Sequence, residues 1–599
     1  MPSASVASRL VALACTAATA LAAIPAVAQT PPPPQIQLPP RRMAPVQTAI
    51  RFAARVPIAG EPLPIFRLAP NPPPARFVRA QLALTKARLQ PEGNTLVARD
   101  PETQALRAYL DPRSGDATIV PDLKATTEAS AQAQALSPER ALSIARRAIA
   151  NPDFLPRDAT APRLGPPIPL MGGSGQRTGV TTREAAPPSQ RLIFVPVLRS
   201  AAGLPVYGPG SRAALALGND GSVRGLVRRW KSAVVADRVK PTASAESVTQ
   251  AIRTQLRPFS TAATAITVDR IVPAYYNGAG YLQPVFYFTA TLHPLSSRAA
   301  DERVGGYVPM ATPVEEIPAL DAQPQGPRPT EGQRVGMTGV QFASYRGTGT
   351  VMAPSGPTVT LGEYANRDGA MLGMANELLD GFNLMSGFFP KPGQIVRTQW
   401  YWAEPWEVVG PSSKTLMNGV NIAYTQPHGN WYYNTTLSNN ANAWDVHDIG
   451  TGGNPGFGAA AGGKLATWII DSCEVAPAFQ DQQVKTGNGY DAFTPWWPVF
   501  QGLHNVLAFR TEMWLFDGLN VPFGFIASLG ADVNAAWFQE IAADPSYNDG
   551  YTYLDGNINQ TVHMGRASTF IDARNLGHSI YDVAPQSASS TLWNFWMGN

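Results

Sequence analysis

Two hydrophobic rhythms alternate along residues 47–310. Ser137-Pro138-Glu139 opens a run with Ala141, Leu142, Ile144 and Ala145 at helical spacing; Ser244-Ala245-Glu246 opens another with Val248, Ile252 and Leu256. A serine at the N-cap satisfies an orphan N–H of the first turn, and Pro138 suits the first helical position. After each predicted helix come strand-like apolar runs: Leu192–Leu198 and Ala213–Leu217 after the first, Ile271–Tyr276 and Val285–Leu292 after the second. Asn219-Asp220-Gly221 favours a hairpin turn. The region is expected to be α+β, a helix followed by antiparallel strands, used twice.

Pro313, Pro318, Pro324, Pro327 and Pro329 make residues 311–336 a linker, because proline interrupts helix and strand alike. Beyond it the pattern predicts a strand at Val340–Tyr345 and a helix over Tyr364–Leu384 with Met371, Met374, Leu378 and Leu379 on one face. A strand at Ile395–Tyr401 and a second helix ending at Leu416–Met417 follow. Two continuous apolar runs come next, Val420–Tyr424 and Leu465–Ile470. Such runs suit parallel strands buried on both faces. The C-terminal region, residues 337–599, is therefore expected to be α/β, a mostly parallel sheet with flanking helices and its active groups at the carboxyl ends of the strands.

At 599 residues the chain is too long for one ordinary core. Its formal charge of +4, with 15% charged residues, lacks the dense basic surface that nucleic-acid binding needs. Arg9, the apolar stretch Leu10–Ala23 and the small residues Ala26-Val27-Ala28 read as a secretory signal over residues 1–28, with Gln29 as the new N-terminus. That stretch is short and interrupted by Pro25, which argues against a membrane anchor, and no later segment is long and apolar enough to span a membrane. Residues 29–46 are proline-rich and expected to be extended and poorly ordered. The chain has two cysteines, and loss of the signal removes Cys15. Cys473 then has no internal partner in an oxidising compartment. It is either a buried, inert hydrophobe or a retained nucleophile.

Pro427-His428-Gly429 follows the first buried run and Asp471-Ser472-Cys473-Glu474 the second, with His428 and Cys473 separated by 45 positions. A free thiol is too weakly ionised at neutral pH to attack efficiently; an imidazole can take its proton and then protonate a leaving amine. Gly429 permits close backbone approach. Other candidates have blander readings. His447-Asp448 has too few companions for a complete metal site. His504 fits a hydrogen-bonded core residue. Trp400, Trp402 and Trp406 suit packing better than a ligand groove, and Asp481 and Asp491 suit surface charges better than a pocket for a basic side chain. No cofactor or metal is called for.

The strand ending in His428-Gly429, the strand ending in Cys473 and their spacing resemble the caspase–legumain–gingipain cysteine peptidases over roughly residues 337–515. Ser472 stands where many relatives have alanine. The resemblance implies a caspase-like sandwich, a His428–Cys473 dyad, and an oxyanion hole from the backbone N–H groups of Gly429 and Cys473. It implies a secreted or periplasmic endopeptidase acting on peptides or proteins. The alternatives are a non-catalytic binding protein on the same scaffold and a cysteine acyl hydrolase or transpeptidase. The helix–strand modules of residues 47–310, with Gly203-Leu204-Pro205-Val206-Tyr207-Gly208, resemble PepSY-type propeptide units. They imply either a prodomain touching the catalytic domain, removed by a cut within 311–336 at Arg328 or Arg334, or a permanent binding domain.

Overall fold

The serine caps form as the pattern requires. Ser137 accepts from the Arg140 N–H at the start of helix Pro138–Ile149, and Ser244 accepts from the Ser247 N–H before helix Ala245–Leu256. The computed structural model describes residues 48–320 and 356–599, apart from 58–59, 72–73, 83–86, 131–132, 180, 262, 366–371, 385–390, 436–442, 452 and 516–517. The first helix buries Ala141 and Ala145 and the second Val248, Ile252 and Leu256, the faces that the spacing marks.

Each helix is followed by antiparallel strands. Strand Ser211–Gly218 pairs with Thr181–Ala201 on one side and Val223–Trp230 on the other. The turn into Val223–Trp230 is closed by Asp220, which accepts from Ser222, and Gly221 takes a positive φ of 80° there. In the second module Ala263–Asn277, Tyr281–Pro294 and Glu302–Pro309 form a meander. The chain then runs on to Leu320 as an ordered loop, where Glu315 accepts from the N–H groups of Ala279, Gly280 and Tyr281. Arg328 and Arg334, the proline-rich segment and the signal lie outside the described residues.

Among the described residues the C-terminal half is built on five parallel strands. Thr358–Ala365 lies between Gln394–Trp402 and Ile422–Thr425, and Thr467–Ile470 and Asn505–Phe509 extend the sheet beyond Ile422–Thr425. Counted in chain order they lie 2-1-3-4-5, so the order reverses at the first strand. Both faces are buried, which explains the continuous apolar runs. Ile422, Tyr424, Ile469 and Leu507 face one core with helices Asn520–Ser528 and Val533–Ala543. Ala423, Trp468, Ile470 and Val506 face another with Trp444, Trp496 and Phe457.

Several expectations need correction. The connected sheet as a whole is mixed and mostly antiparallel, because most of its strands belong to the hairpins and meanders expected of residues 47–310, whose short turns permit only antiparallel pairing; its parallel part lies in the C-terminal half. Even in the C-terminal half, Ala567–Asp572 and Thr591–Met597 run antiparallel. The first parallel strand among the described residues is Thr358–Ala365; the expected strand Val340–Tyr345 lies outside them. Tyr364 thus belongs to a strand, and the helix is Leu372–Asn383. In place of a second helix ending at Leu416–Met417 there are two short 3-10 turns, Pro411–Lys414 and Met417–Gly419, in a segment punctuated by Gly410, Pro411 and Gly419.

The described residues form one unit. Thr591–Met597 pairs along its whole length with Ile168–Thr178, and Arg303-Val304 pairs in parallel with Trp514-Leu515. No helix among the described residues is long and apolar enough to cross a membrane.

Candidate active site

The parallel pairing brings the two sequence motifs side by side. Thr425 is registered against Ile470, and His428 and Cys473 each lie three residues farther on. The Asp471 N–H donates to the Thr425 carbonyl, and the Ser472 hydroxyl donates to the Pro427 carbonyl at 2.8 Å. A Cβ added at Gly429 would collide with the Ser472 hydroxyl and the Cys473 carbonyl. Gly429 therefore lets the two loops touch.

His428–Asn430 and Tyr433–Thr435 form a tight hairpin whose turn residues, Trp431 and Tyr432, have φ values of 46° and 72°. Glu474, the residue after the cysteine, has φ 53° and accepts from the Trp431 N–H at 2.9 Å. Bulky non-glycine residues in this region cost about 1–3 kcal/mol each, and such strain concentrates at functional sites. Packing holds them: Tyr432 is buried beside Trp496, and the Lys485 ammonium sits 3.9 Å from the Trp431 ring centroid.

Both candidate catalytic residues are enclosed, His428 at 2% exposure and Cys473 at 3%. The Cys473 sulfur accepts from the Met513 N–H at 3.5 Å. Burial, and then the carboxylate of Glu512, push its thiol pKa up. Glu512 is itself raised to about 7 by burial, against the opposing charge of Arg303, whose Nε lies 2.9 Å from it. The Glu474 carboxylate takes hydrogen bonds from Tyr553 at 2.6 Å and Asn557 at 2.9 Å. Burial lowers the His428 pKa to about 3, so the ring is neutral near pH 7.

The partner of His428 that the motif does not reveal is Glu302, whose carboxylate meets the imidazole Nδ1 from the N-terminal half. The same segment makes further contacts. The Ala300 N–H donates to the Gly429 carbonyl at 3.2 Å, and the Asn430 amide donates to the Arg298 carbonyl at 2.8 Å. The Arg298 guanidinium lies 4.1 Å from the Tyr433 ring centroid and 3.8 Å from Asp445.

The other sequence candidates lie apart from this pair or serve structure. His504 is buried and bonded to the Ala584 carbonyl. His447 is exposed and bonded to Asp445. Asp481 forms a buried ion pair with Arg510, so it is not a surface charge, and Asp491 caps a local turn through Thr486 and Asn488. Trp400 packs under Arg397.

No protein-family model matches the sequence, and no curated protein matches it. Among solved structures the chain is similar to an uncharacterized protein from Eubacterium rectale. Identity is 10%, coverage is 44% of this chain and 88% of that one, and the TM-score is 0.26. At that level the fold is read from the chain itself.

Proposed function

We propose that the chain is a secreted or periplasmic cysteine endopeptidase of the caspase–legumain–gingipain type, made as a precursor and acting on peptides or proteins. The observation that carries the reading is the register of Thr425 against Ile470, which sets His428 and Cys473 at equivalent points beyond neighbouring parallel strands. The 2-1-3-4-5 order of those strands supports a caspase-like sandwich. His428 takes the Cys473 proton, the thiolate attacks the scissile carbonyl, and the imidazolium protonates the leaving amine. Water then hydrolyses the acyl-enzyme. The N–H groups of Gly429 and Cys473 would steady the oxyanion. No cofactor takes part.

One observation favours a second reading, a non-catalytic binding protein on the same scaffold. Cys473 is buried beside Glu512 and Glu474, surroundings that oppose the thiolate. A peptide-library screen on wild type, Cys473→Ala and His428→Ala separates the two. The peptidase reading expects cleavage that falls by several orders of magnitude in both variants. Cleavage that survives Cys473→Ala removes this mechanism, and no cleavage in any conformation of the chain supports the binding protein.

A further inference from the structure

We infer that the loop Ser296–Glu302 is a built-in plug that holds the His428–Cys473 site closed; the inference rests on the peptidase reading for its purpose but not for its geometry. The loop joins two strands of the N-terminal meander, Tyr281–Pro294 and Glu302–Pro309, and reaches the site at four places. Glu302 occupies His428 Nδ1. Ala300 donates to the Gly429 carbonyl, Asn430 donates to the Arg298 carbonyl, and Arg298 covers Tyr433. One of these contacts, from the Ala300 N–H to the Gly429 carbonyl, is main chain to main chain, and the other joins the Asn430 side chain to the Arg298 carbonyl. The loop thus covers the hairpin that bears His428. His428 is buried beneath these contacts, while Cys473 packs in the apolar core beside Met513.

The loop is also suited to opening. Its Ser296 hydroxyl accepts from the N–H groups of Arg298 and Ala299, so its turn is held by its own atoms. The Arg298 side chain is 63% exposed. Opening breaks the contacts named above together with the Asp301–His293 pair, and it frays the end of the meander where Glu302 pairs with Leu292.

The test is native alkylation of Cys473 in the full chain with iodoacetamide, followed by mass spectrometry of the Cys473 peptide. Two variants are compared with wild type, Glu302→Gln and Arg298→Glu. The plug predicts faster alkylation in both, by roughly ten- to a hundredfold for Glu302→Gln, as expected when a charged hydrogen bond is lost from a local opening. Arg298→Glu is the discriminating variant. It lies on an exposed side chain, so the fold should survive, and it adds negative charge, which by electrostatics alone would slow thiolate formation. Acceleration in both supports the plug. Acceleration in Glu302→Gln alone is a charge effect and overturns it, as does no acceleration in either. Peptide hydrolysis is scored separately on the same samples. Faster alkylation with hydrolysis that disappears in Cys473→Ala supports plug and peptidase together. Faster alkylation without hydrolysis keeps the plug and removes the peptidase reading.

Discussion

A cut within residues 321–336 should leave the two halves of this protein together. The perturbation is a site for a sequence-specific protease placed in that segment and cleaved in the purified chain. Four arginines of the N-terminal half meet carboxylates of the C-terminal half: Arg212–Asp544 at 2.6 Å, Arg229–Glu540 at 2.6 Å, Arg270–Asp549 at 2.7 Å and Arg303–Glu512 at 2.9 Å. At about 2 kcal/mol for a charged hydrogen bond, these come to roughly 8 kcal/mol. The halves also share one apolar core, with Leu106, Phe194, Phe286 and Val304 packed in the same cluster as Leu507, Trp537 and Phe595. If about ten large side chains lost their cover on separation, at about 2 kcal/mol each, the loss would be roughly 20 kcal/mol. Association costs about 4–15 kcal/mol in lost freedom. The remainder is at least about 13 kcal/mol, the range of nanomolar binding. Size-exclusion chromatography of the cut chain at micromolar concentration should give one peak containing both fragments. Two separate peaks in buffer without denaturant would refute the reasoning and restore a prodomain released by a single cut.

Two further outcomes follow from the site and the core. Gly429→Ala should destabilise the protein by about 1–3 kcal/mol, because the new Cβ strikes the Ser472 hydroxyl and the Cys473 carbonyl; an unchanged melting temperature would contradict the close approach. Asp532 caps helix Val533–Ala543 through the N–H groups of Asn534 and Ala535, yet burial raises its pKa from 3.8 to about 7. A raised carboxyl pKa means that the folded state holds the proton more tightly, so the stability it confers is present below about pH 4 and is lost as pH rises through about 7. The stability of Asp532→Asn relative to wild type should therefore rise across that window in urea titrations, and a pH-independent difference would show that the carboxyl is not raised.

The parts of the fold that the sequence reveals are those set by local rules. Ser137 and Ser244 mark their helices because capping involves residues three positions apart. The runs ending at Thr425 and Ile470 stand out because both faces of those strands are buried. Thr358–Ala365 is buried in the same way, but it carries Gly362, Glu363 and Tyr364, so its pattern is masked. Trp431 and Tyr432 are the last residues that turn rules would place at positive φ, and only the packing around them explains why they are tolerated. Glu302 was illegible for a different reason. It meets His428 across 126 positions, and nothing within either segment points to the other. The antiparallel pairing of Thr591–Met597 with Ile168–Thr178 is equally remote in sequence, and it makes the two predicted regions one sheet.

Glu302 and Arg303 are neighbours on one strand, and successive side chains of a strand point to opposite faces. Glu302 meets His428, while Arg303 meets Glu512, the carboxylate that bears most strongly on Cys473 after burial itself. Glu302 therefore bears on one member of the candidate dyad and Arg303, through Glu512, on the other. Arg303 is the charge that lowers the Glu512 pKa against burial, so withdrawing it would push that carboxyl further up, toward its neutral form, beside Cys473. An opening of the loop that frays the strand no further than Glu302 leaves Arg303 and Val304 paired to Trp514 and Leu515 and keeps the Arg303–Glu512 ion pair. On the peptidase reading, the N-terminal half is then both the lock on the site and a lasting part of it, so the variants to compare are those in the loop, not truncations at the linker.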